Sequence, residues 1–111
     1  MKIPVVEQHD SSDCGVACAV SICAYYGKEV TISKLREVMG TDAYGTSIAG
    51  LIKGLESVGF RAKSLYISRE SFANDTFTLP AIARLVRSDG TAHYVSVYQI
   101  RKGIVTYMDP D

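Results

Sequence analysis

The chain has 111 residues and a mass of 12.1 kDa, which suits one domain and is too short for two ordinary ones. At 47% hydrophobic and 22% charged it has the composition of a folded globular domain, which excludes a disordered or low-complexity chain. Twelve basic and twelve acidic side chains cancel, so there is no cationic surplus to neutralise nucleic-acid phosphates and no long-range field to steer a charged substrate.

The longest apolar-rich run, Val16 to Tyr26, is far too short to span a bilayer. The start, Met1-Lys2-Ile3-Pro4, lacks the apolar core of a signal peptide. Three cysteines are an odd number without secretory context, so free thiols in a reducing compartment are expected. The first helix is expected to begin at Ser11, Ser12 or Asp13, to run from Gly15 through Tyr26, and to stop at Gly27. It is apolar nearly all round and should be buried on most sides. A second, short helix takes Thr31 or Ser33 as its cap, carries Leu35, Val38 and Met39 on one stripe and ends at Gly40. The third starts near Thr46 or Ser47, with a stripe of Ile48, Leu51, Ile52, Leu55 and Val58, and ends before Gly59.

After Gly59 the period changes to two. Phe60 to Ile67 reads as a strand with Arg61 and Lys63 on one face, and Ser68 to Thr78 as a polar, irregular stretch. Strands are expected over Ala81–Val86, Tyr94–Ile100 and Ile104–Met108, separated by a turn at Asp89-Gly90 and a hairpin loop at Arg101-Lys102-Gly103. Helices followed by an antiparallel meander make an α+β domain.

Cys14 is the candidate for chemistry. It falls in the first turn of a buried helix, where unpaired N–H groups and the helix dipole favour a thiolate. The plain alternative is a small buried hydrophobe. A thiol nucleophile needs a base, and the base needs an orienting group. Only two histidines exist. His9 lies in the polar loop before the helix, and His93 opens the Tyr-rich strand. The hairpin loop pairs residues whose numbers sum to about 203, which brings Asp109 within a step of His93. An even sum puts the two side chains on one sheet face, because strand side chains alternate. Gln8, six residues before Cys14, is a candidate oxyanion donor together with the Cys14 N–H; its plain alternative is an exposed loop glutamine. Cys18 and Cys23 read as core residues. Cys14 and Cys18 lack both redox and zinc spacing, so no metal and no cofactor is expected.

Gln8, Asp13-Cys14-Gly15-Val16-Ala17, Tyr25-Tyr26-Gly27, Gly45-Thr46-Ser47, His93-Tyr94-Val95 and Asp109-Pro110-Asp111, in that order, resemble the bacteriocin-processing, double-glycine cysteine peptidase domain of peptidase-containing ABC transporters. The resemblance implies a papain-like α+β fold, with N-terminal helices packed on a C-terminal antiparallel sheet. It implies Cys14 as nucleophile, His93 as base and acid, Asp109 as orienting group and Gln8 as oxyanion donor. It also implies cleavage of a leader peptide after a Gly-Gly or Gly-Ala pair. Gly45, Thr46 and Tyr94 become candidate substrate contacts, with helix capping the plain alternative for the Gly45-Thr46-Ser47 block. The implied partners are the leader peptide and the transmembrane and ATP-binding domains of a parent transporter, at the cytoplasmic side of a bacterial membrane. The expected organisation is a single peptidase domain over residues 1–111. It runs out at Asp111, where the family continues with another strand or two. The rival readings are a leader-binding module without catalysis, an acyltransferase or transamidase on the same scaffold, and a structural domain that docks to a transport partner.

Overall fold

The structure, a computed structural model, describes residues 2–74 and 77–111. Four helices come first: α1 (Cys14–Tyr25), α2 (Ile32–Met39), α3 (Ile48–Ser57) and the short α4 (Arg69–Ala73). Three strands follow: β1 (Ala81–Val86), β2 (Ala92–Arg101) and β3 (Ile104–Met108).

The helix ends follow local chemistry. The Thr31 hydroxyl accepts the Lys34 N–H, and the Ser47 hydroxyl accepts the Gly50 N–H, each satisfying a donor that the first helical turn leaves open. At the far end of α1, Gly27 takes the left-handed conformation. Its N–H bonds the Ala24 carbonyl, and the next N–H, of Lys28, bonds that of Cys23. Gly59 closes α3 in the same way, through bonds to Glu56 and Leu55.

The apolar helix α1 is the centre of the molecule, with Val16, Ala17, Cys18, Ala19 and Cys23 wholly buried. Helices α2 and α3 pack beside it through Leu35, Met39 and Leu51. The stripe expected on α3 is only partly used: Ile48 faces solvent, and the buried line is Gly50, Leu51 and Gly54. The two glycines let Met39 of α2 press against the helix, which turns α3 away from the face its larger apolar residues suggested.

The strand expected over Phe60 to Ile67 does not form. Among the described residues no neighbouring backbone pairs with it, and a strand without a ladder partner is only an extended loop. Leu65 and Tyr66 accordingly stand in solvent. The polar stretch after it is not wholly irregular, because Ser68 caps α4 by accepting the Ser71 N–H. Asp75 and Thr76 of that stretch lie outside the described residues.

The sheet has the order β1-β2-β3, antiparallel throughout. On β2, Tyr94, Ser96 and Tyr98 face α1. The Tyr94 ring lies against Gly15, the Ser96 hydroxyl donates to the Cys18 carbonyl (3.1 Å), and Tyr98 meets Ser21. Val95 and Val97 face the other way and pack with Phe72, Phe77, Leu79 and Val105. The alternation expected of a strand buried on both sides is thus met.

Candidate active site

Cys14 is the first residue of α1 and is buried. Across the seam between α1 and β2, Gly15 abuts the Tyr94 ring: a Cβ at residue 15 would come 3.1 Å from the Tyr94 Cδ2. The residues that follow Cys14 and His93 are therefore in contact. His93 is buried near the start of β2, and its Nε2 lies 2.7 Å from the Asp109 Oδ1.

That pairing depends on an irregularity in the hairpin. From Arg101/Ile104 to Gln99/Thr106 the partner numbers sum to 205, and at Val97/Tyr107 and Ser96/Met108 they sum to 204. A bulge at Tyr98 takes up the difference. Below the bulge the sum is even, so Asp109, just past β3, falls on the same face as His93. Continued unbroken, the hairpin register would have sent the carboxylate to the opposite face. The sum of 203 expected from the loop is one short of what the strand end shows.

The carboxylate is built to stay ionised. Burial pushes the Asp109 carboxyl up, but the Asp111 N–H (3.0 Å) and the His93 ring outweigh it and hold it below the ordinary value. An ionised acceptor at Nε2 makes that nitrogen the proton donor, which leaves Nδ1 as the basic nitrogen of the neutral ring.

Gln8 is carried to the same region by the N-terminal segment, where its backbone N–H donates to the Pro110 carbonyl (2.9 Å). Its side-chain Oε1 is buried with no hydrogen-bond partner among the described residues, so it is not the exposed loop glutamine of the plain reading. His9 is exposed.

Gly45 and Thr46 belong to the loop before α3. The Thr46 carbonyl accepts from the Tyr94 hydroxyl (2.9 Å), and a Cβ at Gly45 would lie 3.9 Å from the Ser12 carbonyl, two residues before Cys14. The loop therefore borders the start of α1, while Ser47 serves as a helix cap. Cys18 and Cys23 are core residues: burial pushes the Cys18 thiol up to about 12 and raises that of Cys23. Among the described residues no cluster of three or more His, Cys, Asp or Glu could hold a metal ion.

One contact was not foreseen. Asp13, legible in the sequence only as a helix cap, makes no cap bond and instead pairs with Arg36 of α2. Twenty-three positions separate the two, and no local spacing rule links them.

Helices packed on one face of an antiparallel sheet, with Cys14 heading the central helix and the His93–Asp109 pair at the start of the strand packed on it, define a papain-like α+β domain. Comparison with known proteins narrows the class. Residues 2–111 match the Peptidase C39 family, and the chain belongs to it. It is 39% identical over 106 residues to the lactococcin-G-processing and transport ATP-binding protein LagD of Lactococcus lactis subsp. lactis, covering 96% of this chain and 15% of that protein. The chain thus spans about one seventh of the length of such curated relatives. Among solved structures, the peptidase domain of Streptococcus ComA, described as a bi-functional ABC transporter involved in a quorum-sensing pathway, superposes with a TM-score of 0.86. It is 30% identical, and the match covers 99% of this chain and 79% of that one. A double-glycine-motif protease from an AMS/PCAT transporter, solved in complex with a leader peptide, gives a TM-score of 0.82 at 25% identity, covering 98% and 74%. Among the described residues no helix is long and apolar enough to cross a membrane.

Proposed function

We propose that this chain is the leader-cleaving cysteine peptidase domain of a peptide-exporting ABC transporter, cutting a precursor after a Gly-Gly or Gly-Ala pair. The observation that carries the reading is the His93–Asp109 pair, joined at 2.7 Å on the strand whose next residue packs on the residue after Cys14. Cys14 attacks the carbonyl of the second small residue as a thiolate, favoured by the open N–H groups at the head of α1. The oxyanion is met by the Cys14 N–H and the Gln8 carboxamide. A buried carboxamide oxygen without a protein partner suits this role, because turning the amide places Nε2 there and aims its N–H at the developing charge. His93 Nδ1 takes the Cys14 thiol proton as the thiolate forms, delivers it to the leaving amine, and then takes one from the water that releases the thioester and regenerates the thiolate. Asp109 holds the ring and stabilises its charged form.

Two further features fit a leader substrate. The loop at Gly45 and Thr46 borders the start of α1, where the residues flanking the cut would lie. On the face of the sheet that carries His93 and Asp109, Phe72, Leu85, Val97 and Tyr107 line an apolar groove of about 230 Å³, which suits the apolar side of an amphipathic leader. The partners in this reading are the leader and the membrane and ATP-binding parts of a transporter, with the domain on the cytoplasmic side.

The test is proteolysis of a leader ending in Gly-Gly beside a Gly→Val version of the second glycine. One cut after the pair in the first and none in the second is expected, with the cut abolished by Cys14→Ala. Cleavage that survives Cys14→Ala ends the reading. Tight leader binding without any cut supports the non-catalytic module instead.

A further inference from the structure

The residues entering α1 carry a charge network that the reaction just described leaves unused. Asp13 is wholly buried, yet neither carboxylate oxygen has a hydrogen-bond partner of good geometry among the described residues. Its countercharge is Arg36 of α2, whose Nη1 lies 3.0 Å from the Asp13 Oδ1. The same guanidinium stands 3.5 Å from the Asp10 Oδ2 and donates from Nη2 to the Ser12 Oγ at 3.5 Å. Asp10 in turn accepts the Ser12 N–H (2.8 Å) and hydroxyl (2.5 Å) through one oxygen, Oδ1. One side chain from a neighbouring helix therefore reaches three of the four residues immediately before Cys14.

A buried carboxylate one residue from a thiol opposes ionisation of that thiol, and it opposes it most strongly where no water screens it. Neutralising the carboxylate removes the opposition and lets the helix terminus act. We infer that Arg36 is a positioning residue for Cys14: by pairing with Asp13 and clamping Asp10 and Ser12, it fixes the head of α1 and offsets the buried negative charge beside the thiol. This inference rests on Cys14 being the nucleophile. The other groups that bear on the thiol come from every neighbouring element. Cys18 is on its own helix, His93 and Tyr94 are on β2, Arg84 of β1 acts on the Tyr94 phenol, Asp109 follows β3, and His9 and Asp10 lie in the entering segment. Helix α3 meets this region through the uncharged Leu51. Of these only Asp10 also touches Arg36, so the Asp13→Asn and double variants separate the contribution of Asp13 from that of Asp10.

The experiment measures the pH dependence of Cys14 alkylation by iodoacetamide in the whole chain, read by mass spectrometry on the Cys14 peptide. Arg36→Gln is expected to raise the midpoint and slow labelling at pH 7 roughly tenfold. Asp13→Asn should lower the midpoint, the double variant should return it toward the parent, and Arg36→Lys should leave it near the parent. A folded Arg36→Gln protein with the parent midpoint, or an Asp13→Asn protein with an unchanged or raised one, overturns the inference. If Arg36→Gln does not fold, the direction seen with Asp13→Asn decides alone. Leader cleavage by Cys14→Ala distinguishes the two levels of failure. Its survival removes the nucleophile assignment, whereas its loss beside an unmoved midpoint removes only the role of Arg36.

Discussion

Replacing Ser21 by alanine breaks a buried relay that ties three parts of the molecule together. The Ser21 hydroxyl donates to the Pro4 carbonyl (2.6 Å) and, having given up its only proton, accepts one from the Tyr98 hydroxyl (2.5 Å). Burial raises the Tyr98 phenol above its ordinary value, so it remains a donor through the neutral range. Alanine at position 21 removes both bonds and leaves a carbonyl and a hydroxyl unsatisfied at a wholly buried position. With about 1 kcal/mol net per bond and a further desolvation cost of about 1–3 kcal/mol for a stranded group, the expected loss is about 2–4 kcal/mol. Tyr98→Phe differs in kind. It removes one bond, keeps the ring against Ile22 and Met108, and leaves Ser21 donating to Pro4, so about 1 kcal/mol is expected. The double variant should fall short of the sum of the two by about 1 kcal/mol, because the shared bond is lost only once. Urea unfolding measures all three, as midpoint changes at constant slope. A Tyr98→Phe cost equal to or larger than that of Ser21→Ala, or strict additivity in the double variant, refutes the direction of the relay. Because Pro4 anchors the segment that carries Gln8, leader cleavage by Ser21→Ala should also fall.

Other expectations concern the site and the helix contacts. His93→Ala should slow leader cleavage by roughly 100- to 10,000-fold, measured by initial rates on the folded protein, and should also lower its melting temperature because a buried partner of Asp109 is lost. The depressed Asp109 carboxyl contributes stability above its unfolded value, and that contribution is lost as pH falls through the lower folded value. The melting temperatures of parent and Asp109→Asn should therefore converge below about pH 4; a gap that widens on acidification contradicts this. Peptide mapping after brief alkylation at pH 7 should find the label on Cys14, since Cys18, with its thiol near 12, is ionised in roughly one molecule in 100,000. Gly50→Ala should destabilise by about 1–3 kcal/mol, because its Cβ would fall 2.3 Å from the Met39 backbone carbonyl. Gly54→Ala should cost less in the same denaturation assay, since the atoms in its way belong to the flexible Met39 side chain.

The helices were legible because their signals are local. Thr31, Ser47 and the closing glycines act within a few residues of themselves, and the apolar character of α1 announces its burial. The meander was legible for a similar reason, since short turns fix which strands meet. What escaped detection depends on distant partners. Alternation from Phe60 to Ile67 satisfies the strand pattern, but pattern supplies no neighbour to bond with. Ile48 belongs to a well-spaced stripe and is nevertheless exposed, because Gly50 and Gly54 admit α2 on the adjoining face. Of the site, Cys14 was visible from the capping residues before it, and His93 with Asp109 from hairpin arithmetic. The bulge at Tyr98 that makes the arithmetic come out has no marker in composition. The Asp13–Arg36 pair joins residues on different helices and needed the fold to become visible.

That bulge has an evolutionary consequence. Adding or deleting a single residue between His93 and Asp109 swaps the inner and outer sides of everything beyond it, and would park the carboxylate against α1. A change of two residues restores the sides. A single-residue change in this hairpin is therefore tolerated only where a second bulge, or the loss of this one, takes up the difference, as though the ribbon needed a new dart for every odd stitch.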